Sequence, residues 1–301
     1  MSKLDTATPG GAMSSEALFN REKKANSLWR KFCRNRAAVI GLVIVAFMVF
    51  IAVFSPLVAQ QSPIALDLKN KLLPPLSPGH IFGTDEFGRD LFARIVYGAR
   101  TSIIIAAGAS VVGCLLGMIV GMIAGYMGGA VDSVLMRIVD GMFAFPSILL
   151  SIVLVTVLGN GALNVILALG ISSLPRFARV VRGQVTILKN EEYCNAERVL
   201  GASHLRLMIV HILPNAMSPI IVYFTLNIAS AILSEAGLSF LGLGIIAPTP
   251  SWGNILRAGN SFLGTAPHVA FLPGAFILLA VLGFNLTGDG IRDALDPKMK
   301  R

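Results

Sequence analysis

Long uncharged runs alternate with short charged segments along the chain. The runs occupy residues 37–66, 101–131, 141–175, 207–234, 236–256 and 258–288. Each is long enough to cross a bilayer, since about 20 apolar residues span the hydrocarbon as a helix. Backbone groups in lipid must be hydrogen-bonded within their own segment, which favours helices over any open sheet. The pattern predicts an all-α membrane protein with about six transmembrane helices.

The order of the runs also predicts how the chain is organised. It gives a cytosolic N-terminal segment at 1–36, a first transmembrane helix at 37–59, an extracytoplasmic segment at 60–100, a core membrane domain at 101–290 and a cytosolic tail at 291–301. Within the core domain, a polar loop at 183–215 separates two apolar runs. Thr84 or Asp85 is expected to cap a short amphipathic helix near the end of the extracytoplasmic segment.

Composition and charge agree with a membrane location. Only 14% of residues are charged and the mean hydropathy is +0.74, whereas soluble proteins contain about 25% charged residues. Eight basic residues precede residue 37, six lie between 176 and 206 and four follow 288, against five between 60 and 100 and one at Arg257. The positive-inside rule therefore places both termini and the central loop in the cytoplasm. The net charge of +9 reflects this topology and does not indicate nucleic-acid binding.

A polar stretch from Asn190 to Pro214 interrupts the apolar sequence. Between Glu191 and Arg206 it carries Glu191, Glu192, Glu197, Arg198, His204 and Arg206. Apolar residues recur within it at three- and four-residue spacing, which predicts a short amphipathic helix followed by a turn at Gly201. Leu213-Pro214 is expected to end the segment, because proline lacks the amide that a continuing helix needs. These features are typical of a docking surface.

A glycine stripe marks the second apolar run. Gly113, Gly117, Gly121 and Gly125 recur at every fourth position, which puts them on one helix face and lets a second helix approach closely. The stripe predicts a helix-packing surface, and two interpretations of it stay open: static close packing, or a helix that slides or rotates during transport.

Four polar residues in or near the spans are candidates for a gate or pathway. Charges at membrane depth are costly and are usually paired or exposed to a cavity. Arg137 and Asp140 are three positions apart and could pair on one helix face, or could contact a pathway. Asn227 lies inside a span, and Glu235 near an outer end is either a solvated interfacial carboxylate or a substrate contact. Pro146 is expected to kink the third span.

Catalytic motifs are missing from the sequence. No lysine follows a glycine, so the chain lacks the phosphate-binding loop that an ATPase needs. Its four histidines form neither an i, i+4 pair nor an HExxH motif, so no metal site is predicted. The chain is therefore not expected to be an enzyme or to bind a cofactor itself.

Three blocks of sequence resemble the permeases of dipeptide, oligopeptide and nickel ABC importers. The Gly201 to Pro214 spacing resembles the EAA loop of these permeases. The segment GTDEFGRDLFAR at 83–94, with its flanks, resembles their G-T-D-x-x-G-R-D block, and NLTGDGIRDALDPKMKR resembles their terminal block. Two departures occur. Asn195-Ala196-Glu197 stands where relatives commonly have Glu-Ala-Ala, and Ser251 replaces an acid in a Pro-Thr-Pro-Glu-Trp-Gly motif.

The resemblance implies a function and a set of partners. It implies one permease half of an ABC importer with a type I permease fold, in a bacterial inner membrane. The partners it implies are a second homologous permease, two ATPase subunits holding ATP and Mg²⁺, and an extracytoplasmic solute-binding protein. The ATPase-coupling residues it implies are Asn195, Ala196, Glu197, Arg198, Gly201, Ala202, Ser203, Leu213 and Pro214.

The implied substrates are small peptides, including glutathione-like ones. Two alternatives stay open. One is a nickel-complex importer of the same family. The other is a stand-alone secondary transporter, which would need inverted repeats and an ionisable site near the bilayer midplane.

Overall fold

A computed structural model describes residues 29–295 of the chain. The predictions for residues 1–28 and 296–301 lie outside this range. All regular elements within it are helical, apart from two isolated β-bridges in the 77–90 region. The helices are α1 (Arg36–Val53), α2 (Ser55–Val58), α3 (Leu91–Met127), α4 (Gly129–Phe143), α5 (Ser147–Leu158), α6 (Ala162–Leu188), α7 (Glu192–Val199), α8 (His204–Arg206), α9 (Leu213–Phe240), α10 (Trp252–Asn260) and α11 (His268–Leu295).

Five helical stretches of the described chain are long and apolar enough to cross a membrane. They are α1, α3, α6, α11 and the continuous stretch His204–Phe240, in which a π-helical turn at Leu207–Ile212 joins α8 to α9. A sixth span is obtained only if α4 and α5 are counted together. The prediction of about six transmembrane helices is confirmed on that basis.

The third span is broken rather than kinked. Helices α4 and α5 meet at an angle of 90°, so the single kinked helix expected there is wrong. Pro146 precedes the first residue of α5 and has no amide to donate to α4, so the first helix cannot continue through it. The polar composition of α4, which carries Asp132, Arg137 and Asp140, also disfavours a straight path through lipid.

Helix α3 begins ten residues before the expected boundary at 100. It runs from Leu91 to Met127 without a break, and the Asp90 side chain caps it by accepting a hydrogen bond from the Ala93 amide at 2.7 Å. The cap predicted at Thr84 or Asp85 is therefore wrong. Asp85 is instead buried in an ion pair with Arg89 at 2.6 Å and lies 3.1 Å from Arg94.

Other boundaries also shift toward longer helices. Helix α6 extends to Leu188 and α9 starts at Leu213, so both ends of the 183–215 loop are helical. Helix α11 extends to Leu295, past the expected start of the tail at 291. Apolar side chains continue on the inner faces of these helix ends, as at Val185 and Ala294. Their packing stabilises the additional helical turns.

The glycine stripe lies where α3 crosses α6. A Cβ added at Gly121 would stand 2.5 Å from the Ala178 carbonyl oxygen and 2.8 Å from the Val181 Cβ, and one at Gly125 would stand 2.9 Å from the Arg182 carbonyl oxygen. Real Cβ atoms essentially never come within 3.0 Å of such atoms. The two backbones are thus as close as their atoms allow.

Candidate functional site

The polar stretch between α6 and α9 folds as a helix, a tight turn and a second helix. Gly201 adopts a left-handed backbone with φ of +85°, which glycine reaches without the steric cost that a side chain would bring. Two residues later, the Ser203 hydroxyl accepts a hydrogen bond from the Arg206 amide at 3.4 Å and caps α8. The chain reverses direction sharply at this point.

The reversal exposes a group of apolar side chains, Val199, Leu200 and Leu205, which we call the tip. Val199 is 88% exposed and Leu200 is 80% exposed. They project beside charged neighbours that favour an aqueous location, such as Arg198 and Arg206. Contiguous apolar groups in water mark sites of protein contact. The tip therefore has the character of an interface.

A buried contact anchors the helix behind the tip. Cys194 of α7 is fully buried and packs in a cluster with Phe177, Val181 and Ile212. Beside it, the Tyr193 hydroxyl lies 3.5 Å from the Asn215 amide nitrogen. Burial raises the pKa of Tyr193, and the neighbouring Cys194 adds to this rise. Helix α7 is thus attached to both α6 and α9.

Polar contacts tie the same segment to the end of α3. The Lys189 ammonium donates to the carbonyl oxygen of Gly125 at 2.7 Å, and Arg198 donates to the Lys189 carbonyl oxygen at 3.1 Å. The Tyr126 hydroxyl lies 2.7 Å from Nδ1 of His204. The Lys189 and Tyr126 contacts join the tip region to α3, the helix that carries the glycine stripe, and Arg198 connects α7 to Lys189.

The predicted coupling residues divide into two groups. Those on and after α7 surround the tip and are exposed or half-buried: Asn195, Ala196, Glu197, Arg198, Gly201, Ala202 and Ser203. Leu213 and Pro214 lie elsewhere, in the first turn of α9. Whether any of them contacts an ATPase stays a prediction.

The expectation that Leu213-Pro214 ends the segment is wrong, because the helix continues through it. The Leu213 amide bonds to the Met208 carbonyl oxygen, five residues back. This wider π-helical turn changes the hydrogen-bond pairing just before Pro214. The proline therefore sits near the start of a newly paired helix, where its missing amide costs little.

Two ion pairs fasten α4 to α6. Arg182 donates both Nε and Nη2 to Asp132, at 2.5 and 2.6 Å, and Arg179 donates to Asp140 at 2.7 Å. The predicted pairing of Arg137 with Asp140 is therefore wrong, and Arg137 is exposed on α4. A bidentate arginine–carboxylate pair is geometrically specific, so the polar half of the broken span is fixed to α6 at two points.

Glu235 and Asn227 are buried inside the helix bundle. Glu235 has no exposed surface and accepts hydrogen bonds from the Ser102 hydroxyl at 2.9 Å and the Ser239 hydroxyl at 2.7 Å. The Asn227 amide donates to the Ser110 hydroxyl at 3.0 Å. The solvated interfacial carboxylate expected at Glu235 is therefore wrong, and its alternative role as a substrate contact stays a prediction. Glu235 joins α9 to α3 within the protein.

A polar cleft lies between α5, α6 and α9, and only Asn227 of its lining was among the predicted residues. Its lining is rich in serine and includes one arginine: Ser147, Ser151, Ser172, Ser173, Arg176, Asn227, Ser230 and Ser234. The four-residue spacings of Ser147 with Ser151 and of Ser230 with Ser234 were available in the sequence. They put each pair on one helix face and could have indicated a polar surface inside the membrane.

Comparison with known proteins gives consistent matches over most of the chain. Residues 117–301 match a family described as "Binding-protein-dependent transport system inner membrane component", and residues 26–75 match "N-terminal TM domain of oligopeptide transport permease C". The chain is 45% identical over 281 residues to the dipeptide transport system permease protein DppC of Alkalihalophilus pseudofirmus, which covers 92% of each chain.

Two further relatives are similar to the same extent. The oligopeptide transport system permease protein OppC of Bacillus subtilis is 44% identical over 93% of this chain and 92% of its own. The glutathione transport system permease protein GsiD of Escherichia coli is 44% identical over 91% of each chain. A solved structure, the inward-facing MetNI methionine ABC transporter, aligns with a TM-score of 0.54 and 18% identity over 68% of this chain and 98% of that one. At that identity the similarity shows a shared fold.

Proposed function

The chain belongs to the family of binding-protein-dependent transport system inner membrane components, and from this membership we propose that it forms half of the pathway of an ABC importer for small peptides. The peptide class rests on relatives named for dipeptide, oligopeptide and glutathione transport. ATP and Mg²⁺ would be bound by separate ATPase subunits, since the sequence lacks a phosphate-binding loop.

The observation that carries the coupling role is the exposed tip. Val199, Leu200 and Leu205 present apolar area to water at the end of a segment that α6 and α9 hold in place. An ATPase subunit would remove this area from water on docking, which supplies affinity at about 25 cal/mol per Å². The ATPases can drive the permease only if they bind its inward- and outward-facing states differently. The tip is the surface through which we propose that this difference acts.

A second interface is proposed on the broken span. Helix α5 exposes Val153 and Val157, and Phe145 is exposed at the bend before it. Together they form an apolar surface beside the polar cleft. A second permease of the same family would cover this surface and close the cleft into a shared pathway. Both termini and the tip would then face the cytoplasm, and a solute-binding protein would dock on the opposite side.

The proposal is tested by reconstituting the chain with its second permease, ATPase subunits and binding protein in proteoliposomes. We expect ATP-dependent uptake of a dipeptide and no uptake driven by an ion gradient alone. Leu200→Asp should weaken ATPase association by tenfold or more, because it places a charge where ATPase docking would bury the exposed leucine.

A matched control is Leu66→Asp. Leu66 is also an exposed leucine, but it lies in the segment between α2 and α3, so ATPase association should be unchanged. The coupling role would be wrong if both variants kept full ATPase association. Uptake that needed an ion gradient and no ATPase would instead favour a secondary transporter.

A further inference from the structure

Three arginines follow each other along one side of α6, and they differ in their partners. Arg179 and Arg182 pair with Asp140 and Asp132. Arg176, one turn earlier, is exposed and forms no ion pair with any residue between 29 and 295. It is the arginine that lines the polar cleft. Within the described part of the chain, its two neighbours have acidic partners and Arg176 has none.

The position of Arg176 makes an unpaired charge costly. It is the fifteenth residue of α6, which puts it about 21 Å along the helix at 1.5 Å per residue. The hydrocarbon core is about 30 Å thick, so this length of α6 brings Arg176 to the cytoplasmic rim of the span, where the uncharged run 141–175 ends. Charged groups in or next to a span usually face the interior of a bundle or a water-filled cavity and mark substrate or ion pathways, and Arg176 lines such a cleft.

The rest of the cleft provides hydrogen-bonding groups but no negative charge. The Ser151 and Ser172 hydroxyls lie 2.9 Å apart. The Ser151 hydroxyl also lies 2.9 Å from the Ser147 carbonyl oxygen, and the Ser172 hydroxyl donates to the Ala168 carbonyl oxygen at 2.8 Å. Ser147 and Ser230 are exposed in the same cleft. The Tyr223 hydroxyl of α9 lies beside Arg176. A cation surrounded by neutral hydroxyl groups is suited to bind an anion with oxygen acceptors.

We propose that Arg176 binds the carboxylate of the transported peptide as it passes through the cleft. The inference rests on the proposed importer function and narrows it to substrates with a free carboxylate. The planar guanidinium group can donate two parallel hydrogen bonds to a carboxylate, and the serine hydroxyls can bind the peptide backbone. Arg176 is thus a specificity residue of the pathway, separate from the tip.

The first test measures selectivity in the reconstituted complex with saturating binding protein. The probes are radiolabelled alanyl-alanine and its C-terminal amide. Arg176→Gln should lower uptake of the free peptide by tenfold or more, since a charged hydrogen-bond partner is lost, and should leave uptake of the amide unchanged. Arg176→Lys should restore part of the free-peptide uptake because it keeps the charge.

The second test uses only the free peptide, so it also works if the binding protein does not bind the amide. It asks whether a positive charge at position 176 is needed for uptake. Arg176→Cys should have the same low uptake as Arg176→Gln. Labelling the new thiol with an aminoethyl methanethiosulfonate should restore uptake by returning a positive charge, and a sulfonatoethyl reagent of similar size should not. Unsubstituted complex treated with both reagents controls for reaction at the natural cysteines, of which Cys33 is exposed.

Several results would overturn the inference. Wild-type rates in Arg176→Gln would show that the charge is not used. An equal loss for free and amidated peptides, or equal rescue by both thiol reagents, would point to a structural role or to an acid supplied by the second permease. Absence of ATP-dependent peptide uptake by the unsubstituted complex would instead contradict the proposed function itself.

Discussion

A methyl group added at Gly121 should separate α3 from α6. The new Cβ would stand 2.5 Å from the Ala178 carbonyl oxygen, whereas ordinary contact begins at 3.4 Å. The helices would therefore have to move apart locally by roughly 1 Å, because the atoms in the way belong to the backbone and cannot rotate aside. Overpacking of this kind costs about 1–3 kcal/mol of stability.

Gly183→Ala is the matched control for Gly121→Ala. Gly183 also lies inside a helix, and nothing stands within 4 Å of its added Cβ. Both substitutions gain the same helix propensity, up to about 1 kcal/mol. The difference between the two variants therefore isolates the packing term, and Gly121→Ala should be less stable than Gly183→Ala by about 1–3 kcal/mol.

The assay is unfolding of the purified complex in mixed detergent micelles, followed by circular dichroism as the denaturing detergent fraction rises. Gly108→Ala adds an intermediate case, since its Cβ would meet only the flexible end of Ile166 at 3.2 Å. We expect stability to fall in the order Gly183→Ala, Gly108→Ala, Gly121→Ala. Equal midpoints for the first and last would refute the close approach of the two helices.

Three further predictions use other contacts. Glu235→Ala should lower the free energy of unfolding, measured in detergent, by about 2–4 kcal/mol, because it leaves a cavity and two buried hydroxyls unpaired. Glu235→Gln should retain most of the stability, and an equal loss of stability in both variants would contradict this. Asp132→Asn should lower the free energy of unfolding by about 1 kcal/mol. A double-mutant cycle with Arg182→Gln should give a coupling energy between Asp132 and Arg182, and additive effects of the two substitutions would contradict their ion pair. Gly201→Asp should insert normally yet abolish uptake in reconstituted vesicles, and unimpaired uptake would contradict a docking role for the turn.

Features that depend on spacing along one helix could be predicted from the sequence. The glycine stripe at Gly113, Gly117, Gly121 and Gly125 indicates a close helix contact because four-residue spacing fixes the face, and that contact is found against α6. The turn at Gly201 is of the same kind. Both follow from residues that are close in the chain.

Features that depend on neighbours distant in sequence could not be predicted. Asp140 pairs with a residue 39 positions away, and Asp132 with one 50 positions away, so the local alternative of Arg137 with Asp140 was the only one that spacing could suggest. Burial of Glu235 likewise depends on Ser102, 133 positions earlier. Its sequence position near the end of a span gave the opposite expectation.

The backbone conformation at two prolines could not be predicted from the sequence either. Proline marks a place where a helix loses a hydrogen bond, but the sequence does not say how the chain responds. At Pro146 the chain turns by 90°, whereas at Pro214 it remains helical because a π-helical turn precedes it. The same residue type thus gave two outcomes, and the difference depends on the packing of each helix.

Helix α3 extends from the buried ion pairs of Asp85 with Arg89 and Arg94 to the residues that contact the tip region. With 37 residues it is about 55 Å long at 1.5 Å per residue, and its glycine face from Gly113 to Gly125 packs closely against α6 for about a third of that length. Such close backbone packing restricts bending of the two helices relative to each other. A tilt of about 5° at one end would displace the other by roughly 5 Å over this length, so a small push at one membrane surface becomes a large shift at the opposite one.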